Sequence, residues 1–325
     1  MTAMVQCQLC PKGCLIEPGQ SGECRIRVNI DGRLVAVTYG HPCSMHADPV
    51  EKKPMFHFLP GTAILSLATV GCNLHCKNCQ NWEISQENPE NVPADEAPPE
   101  ILPGLAKQYN CLSVAYTYTD PVVFYEYALD SCIRVREAGL RNVLVTAAYI
   151  NKDPWRKLIE HVDGIKIDIK SMREDFYRDI CGATLAPVLD AAVIAKSMGK
   201  LVEPTNLIIP TLNDSDDDLT QLARWIAGNM GKDTPLHFSR FFPNYQMKNL
   251  PPTPPETLDR AKEIAMGEGL HYVYVGNISR PDAENTRCPA CHALIIERRG
   301  YDVLQNNLRG GKCPQCNTEI PGIWQ

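Results

Sequence analysis

Short apolar, β-branched runs return along the middle of the chain at intervals of roughly 25 to 40 residues, each followed by an amphipathic stretch. The runs are AILSLATV (63–70), CLSVAYTY (111–118), NVLVTA (142–147), GIKIDI (164–169), LVEPTNLII (201–209), LHFSRF (236–241) and HYVYVG (271–276). Between them PVVFYEYALDSCIRVREAG, DAAVIAKSMG and DSDDDLTQLARWIAGNM carry a helical pattern. This alternation implies a parallel sheet covered by helices, in a right-handed βα barrel, closed or open, or alternatively in a doubly wound sheet. One helix start is marked in detail: Thr253 is expected to cap, Pro254 and Pro255 to fill the first turn, and Glu256 to complete a capping box.

Two segments fall outside the repetition, which divides the chain into 1–60, 61–280 and 281–325. The first is turn-rich and holds an alternating CRIRVNIDGRLVAVTYG, whose Asp31-Gly32 predicts a hairpin. The last carries cysteine pairs at both ends. Each is too small for a core of its own, the situation in which bound metal staples a fold.

Composition narrows the setting. With 325 residues and a formal charge of −6, the chain has no global attraction to phosphate backbones. Its one basic cluster, ERRG at 297–300, is too small for an evident nucleic-acid surface. No apolar run approaches the ~18 residues of a membrane span, so no membrane association is expected. The opening MTAMVQCQLCPKGC lacks a secretory pattern, which leads to the expectation of a cytoplasmic protein with reduced thiols.

Cysteine is the exception, at 15 residues, of which eleven fall into three groups. Cys111 and Cys132 stand apart and read as packing residues. Cys288, Cys291, Cys313 and Cys316 form two paired knuckles, a zinc-ribbon or rubredoxin-like pattern for zinc or iron. His292 and Asn317 follow the knuckles, where positive φ is expected. Cys7, Cys10, Cys14 and Cys24 could hold zinc or an auxiliary iron–sulfur cluster. Cys72, Cys76 and Cys79, in GCNLHCKNCQN, are an odd number for a closed zinc site unless His75 completes it. A cubane cluster held by three thiolates instead leaves one iron open for a ligand.

The Cys72-x3-Cys76-x2-Cys79 spacing resembles the signature of the radical S-adenosylmethionine (SAM) superfamily, with Asn78 where an aromatic residue is usual. The resemblance implies a partial (βα)6 barrel holding a 4Fe-4S cluster whose open iron binds SAM. Electron transfer from the cluster would yield methionine and a 5′-deoxyadenosyl radical that takes hydrogen from a substrate, with a reductant such as ferredoxin or flavodoxin. Thr119-Asp120-Pro121 is similar to the turn that holds the methionyl ammonium in relatives. KIDIKSM resembles a strand of glycyl-radical activating enzymes such as pyruvate formate-lyase activating enzyme, implying that Asp168 and Lys170 line the site. Thr211 stands where those relatives have glycine. The order of CQLCPKGC, DPVEKKPMFHFLPG, CQNWEIS, HFSRFFPNYQM and YVYVGNISRPDAENTRCPAC resembles the radical enzymes of the AmmeMemoRadiSam system, whose companion proteins are then candidate partners.

Three further features complete the expectations. Arg240 is read as an anchor for cofactor or substrate carboxylate, facing the same way as Phe238, while His237 is read as a packed core residue. Lys52 and Lys53 read as a solvated pair near the barrel mouth. Asn277, in GNISRP, is expected to close over the adenine. The leading reading is a radical enzyme acting on a protein, with a small molecule or nucleic acid as the other substrate class. A zinc-stapled interaction module without catalysis is the competing reading from a different class.

Overall fold

The computed structural model describes residues 3–325. An N-terminal lobe holds β1 (Val5–Gln6) paired with β2 (Leu15–Ile16), and the hairpin of β3 (Arg27–Ile30) and β4 (Arg33–Ala36). Asp31 and Gly32, at φ 51° and 81°, form the turn that their sequence predicts.

The main sheet has eight strands. β5 (Ser44–Pro49) lies antiparallel on β6 (Ala63–Ala68), followed in spatial and chain order by β7 (Cys111–Tyr116), β8 (Arg141–Thr146), β9 (Gly164–Asp168), β10 (Leu201–Ile208), β11 (Leu236–Arg240) and β12 (Val273–Gly276). The seven strands from β6 onward are parallel. After α1 (Trp82–Ser85), the crossovers are α2 (Leu102–Gln108), α3 (Tyr125–Glu137), α4 (Lys152–Ile159), α5 (Glu174–Phe176) with α6 (Ala186–Ser197), α7 (Asp216–Asn229) and α8 (Pro255–Gly267). Six βα units and a closing parallel strand thus make an open barrel, and every run read as a strand is one. Its antiparallel edge, β5, precedes the repetition and has no helical partner, so periodicity could not announce it.

Alternation along the strands sorts the interior from the helix layer. Ile165 and Ile167 of β9, Leu236 and Phe238 of β11, and Val273 and Val275 of β12 pack beneath the helices in the main core. Val50, Met55, Phe58 and Leu59 plug the interior against Ile64, Ala115 and Val143. Thr253 does not cap α8, whose N-cap is Pro254 without a side-chain bond. Its hydroxyl instead donates to the Ile208 carbonyl (2.6 Å) and accepts from Phe241 N–H (2.9 Å), joining the ends of β10 and β11.

The C-terminal lobe is a three-stranded antiparallel sheet, β13 (Thr286–Arg287), β14 (Leu294–Arg299) and β15 (Asp302–Asn306). It docks on the barrel through a buried polar chain. Arg298 donates to Thr286 Oγ1 (2.9 Å), Thr286 bonds Tyr274 Oη (2.9 Å), and Tyr274 bonds His57 Nε2 (2.8 Å). His57 Nδ1 reaches the Pro321 carbonyl (2.6 Å), so the chain is satisfied when His57 is neutral, with its proton on Nδ1. Burial accordingly pushes its pKa down to about 4.

Between the unfolded value near 6.5 and that folded value, the unfolded chain binds the extra proton and the folded chain does not. Acidification from pH 7 to 4 is therefore expected to remove about 3 kcal/mol of stability through this residue. Denaturant titrations across that range, with His57→Gln as the variant whose loss is shallower, measure it.

No single helix among the described residues is long and apolar enough to cross a membrane.

Candidate functional site

The loop after β6 carries Cys72, Cys76 and Cys79, and five separate segments shape it. Gly71 begins the loop at φ 92°, and a Cβ there would lie 2.5 Å from the Cys24 carbonyl oxygen and 2.7 Å from Ile26. His75 N–H and Lys77 N–H donate to the carbonyls of Cys181 (2.8 Å) and Ile180 (3.0 Å) in a π-helical turn, Tyr177–Cys181. Gln246 N–H reaches the Lys77 carbonyl (3.0 Å), and Tyr245 stacks on Trp82 at 5.2 Å. Asn81 donates to the Tyr118 carbonyl (2.7 Å) and Asn73 to that of Tyr149 (2.8 Å).

Gly71→Ala combines backbone strain with a clash against main chain. It is expected to cost about 2–4 kcal/mol and to lower iron retention. Denaturation midpoints and iron per chain check this.

The three cysteines open onto a cavity of about 440 Å³ enclosed by the strand ends. Facing them along β9 and just beyond it are Lys166, Asp168 and Lys170, three alternate residues on one face. Asp168 bonds Lys166 on one carboxylate oxygen and Lys170 (3.3 Å) on the other. Burial alone would raise the pKa of Asp168, but the two ammonium groups outweigh it and hold the carboxyl down at about 2. Burial would lower Lys170, yet Asp168 and Cys76 hold it well above the usual lysine range. The sequence reading named Asp168 and Lys170 and missed Lys166, although the same alternation places it beside them.

The other expected site residues divide. Thr119 and Asp120 line the cavity, whereas Pro121 is buried outside its lining. Asp120 is largely occupied within the protein: Thr146 Oγ1 (2.8 Å), Ala147 N–H (2.8 Å) and Val122 N–H (3.1 Å) all donate to it. Thr119 donates its hydroxyl to the Thr69 carbonyl (2.8 Å). These bonds brace the ends of β6, β7 and β8, and they take three of the roughly four acceptor positions of the Asp120 carboxylate.

Asn277 stands in the cavity lining at φ 60° and donates to Ser239 Oγ (2.8 Å). Arg240 does not reach the cavity: its Nε binds the Thr253 carbonyl (2.8 Å) and its guanidinium lies over Phe242. From β11 the lining takes His237, Phe238 and Ser239, of which Phe238 also packs in the main core. His237 binds buried Glu203 (2.7 Å), which also accepts from Phe56 and His57 N–H. Lys53 is buried rather than solvated, and both it and Lys52 bind Asp48 (2.6 and 2.8 Å).

His75 does not close a zinc site with the three cysteines. Its ring nitrogens meet Gln86 (3.0 Å) and Glu23 (3.3 Å). At the other end of the chain, Cys288, Cys291, Cys313 and Cys316 have sulfurs all within 4.8 Å, with separations of 3.5 Å (288–316) and 3.6 Å (291–313). Tetrahedral zinc with ~2.3 Å bonds to sulfur spaces its ligands about 3.8 Å apart, so this group could bind a metal ion. His292 and Asn317 adopt positive φ, 58° and 63°, as the two knuckles require.

The family model for the radical SAM superfamily matches residues 66–226, a span that begins in β6 and contains the three cysteines, Asp168 and Lys170. The chain belongs to the radical SAM superfamily. It is therefore a radical SAM enzyme, of a family that works with a 4Fe-4S cluster, SAM and a reductant such as flavodoxin or ferredoxin. An uncharacterized protein of Methanocaldococcus jannaschii is 46% identical over 318 residues, covering 97% of this chain and 95% of that one. Pyruvate formate-lyase-activating enzyme of Staphylococcus aureus is 29% identical over 172 residues, 49% of this chain and 67% of its own length. The radical SAM methyltransferase of Sphaerobacter thermophilus shares the fold at a TM-score of 0.53 and 14% identity, covering 72% of this chain and 71% of that one. SuiB of Streptococcus suis bound to S-adenosylmethionine shares it at 0.53 and 13%, covering 70% and 53%.

The residues present fit the family's cofactors. Three thiols face one cavity, and buried polar atoms without partners, Asn78 Oδ1 and Thr205 Oγ1, line the same space.

Proposed function

We propose that Cys72, Cys76 and Cys79 hold a 4Fe-4S cluster at which SAM is reductively cleaved, and that the substrate is a protein presenting one reacting group at the barrel mouth. Bound together, these cofactors would supply a 5′-deoxyadenosyl radical for hydrogen abstraction. The single observation that carries the reading is the cavity, with three thiols on one wall and the Lys166–Asp168–Lys170 ladder on the other.

Asp168 and Lys170 would orient the cofactor by paired charge, Thr119, Asp120 and the unpartnered Asn78 would bound its polar end, and Asn277 would cover its rim. Pre-set dipoles and charges of this kind need no reorganisation during the reaction. A cavity of about 440 Å³ is filled by roughly one drug-sized ligand. With cluster and SAM seated, a substrate reaches the radical from the mouth, where Tyr301 and Glu284 of the C-terminal lobe stand. That geometry favours a protein substrate over an enclosed small molecule. Similarity to the activating enzyme and the motif order of the AmmeMemoRadiSam system support the same choice, with the system's companion proteins as candidate substrates.

The test follows 5′-deoxyadenosine from reconstituted enzyme with dithionite and SAM, with and without each companion protein. Stimulated turnover with a new radical or mass change on a companion supports the proposal. Cofactor cleavage that no companion stimulates, but a small-molecule extract does, overturns the choice of substrate.

A further inference from the structure

The structure assigns a second iron–sulfur cluster to the N-terminal lobe, held by Cys7, Cys10, Cys14 and Cys24. All four cysteines line one small pocket, closed by Ile16 and Val123 and reached by Asn73, the residue that follows Cys72. The lobe is folded to bring them there: Cys7 N–H donates to the Cys14 carbonyl (2.8 Å), and Gly13 N–H turns back to that of Cys10 (3.1 Å).

The separation of the thiols distinguishes a cluster from a single ion. Among the described residues, the group of ligating side chains whose donor atoms all lie within 4.8 Å is the C-terminal one, the spacing of a mononuclear site. The N-terminal four share a pocket without converging to that degree. So do Cys72, Cys76 and Cys79, whose family binds a cluster. Thiolates on different irons of a polynuclear core stand farther apart than thiolates on one ion.

One further observation points to an anionic occupant. Arg27 lines the pocket and is 7% exposed; its Nη2 pairs with Glu126, while its buried Nε–H has no partner. Asn73 lines the pocket as well. A buried guanidinium N–H is costly unless matched, and a tetrathiolate cluster carries the negative charge that matches it. Four cysteine ligands would leave this cluster no open iron, so its role is distinct from the SAM-binding one. Asn73 puts it one residue from a ligand of the other cluster.

The inference does not depend on the reaction proposed above, because it is read from metal content. The whole chain is reconstituted anaerobically with ferrous iron, sulfide and zinc together, and desalted. About eight irons and one zinc per chain are expected, and about four irons in either the Cys72/Cys76/Cys79→Ala or the Cys10→Ala/Cys14→Ala variant. The Cys72/Cys76/Cys79→Ala protein should also give an electron-spin signal of a reduced cluster after dithionite. If that variant takes up two zincs and no iron, the inference is overturned. Because the variant leaves the N-terminal lobe untouched, it decides the matter even where Cys10→Ala/Cys14→Ala fails to fold.

Discussion

Replacing Cys72, Cys76 and Cys79 together with alanine is expected to reduce 5′-deoxyadenosine formation to the level of the protein-free control while leaving C-terminal zinc in place. The expectation is severe because these thiols are the attachment of the group that does the chemistry, and no other side chain substitutes for them. His75 is engaged with Gln86 and Glu23. Cys181 is buried, and its segment is fixed by backbone bonds from His75 and Lys77. The loop itself should survive, since it is held by Gly71 packing, the 177–181 turn, Tyr245 and Asn81 rather than by the sulfurs. A variant that keeps wild-type denaturation behaviour, loses iron and loses all cofactor cleavage fits this account. One that cleaves SAM would place the cluster elsewhere.

The same contacts explain what could be read from sequence. The seven parallel strands were legible because buried strands leave apolar runs whose spacing survives insertions, and the cysteine spacing was legible because it is local. Asp168 and Lys170 came from the resemblance of KIDIKSM to a strand of the activating enzymes, and alternation on one strand is why both line the same cavity. The inward face of β11 was not legible. Both faces of that strand are buried, so period two alone could not say whether Phe238 or His237 points inward, and Arg240 was assigned to the wrong side. Thr253 read as a cap because a hydroxyl before two prolines usually is one. Tertiary demand for a link between Ile208 and Phe241 took the hydroxyl instead. The π-turn at 177–181 carries no sequence period at all.

Thr211, standing where relatives have glycine, is a different case. It sits at φ 70°, a conformation that a β-branched residue adopts at a cost, fixed there by Asp214 accepting from its N–H (2.8 Å). Thr211→Gly is accordingly expected to stabilise the fold by about 1 kcal/mol, measurable as a raised denaturation midpoint.

The second large effect is expected at Asp168. Asp168→Ala would leave Lys166 and Lys170, with side chains 10% and 20% exposed, facing each other without their shared counter-charge. Breaking a buried pair from one side costs about 3–5 kcal/mol, and the partial exposure of this ladder brings the expectation to about 2–3 kcal/mol. Cofactor cleavage should fall by about 100-fold, the loss typical of removing one pre-set electrostatic contact.

Stability and chemistry are separable here. Substituting the whole ladder, Lys166→Met, Asp168→Leu and Lys170→Met, removes the unpaired charges and should return most of the stability without returning activity. The pH dependence separates the ladder from His57. Asp168 has a depressed pKa, so its contribution is present above the unfolded value near 3.9 and is lost only as pH falls toward about 2. Lys170 has a raised one, so its contribution holds below the unfolded value near 10.4 and is lost only as pH rises through the higher folded value. Between pH 5 and 9 the stability difference between Asp168→Ala and wild type should therefore be flat, while the His57 contribution falls away below pH 6.5. Denaturant titrations at pH 5, 7 and 9, paired with 5′-deoxyadenosine assays on the single and triple variants, test both halves. Activity that recovers along with stability in the triple variant would show that the ladder only supports the barrel wall and does not orient the cofactor.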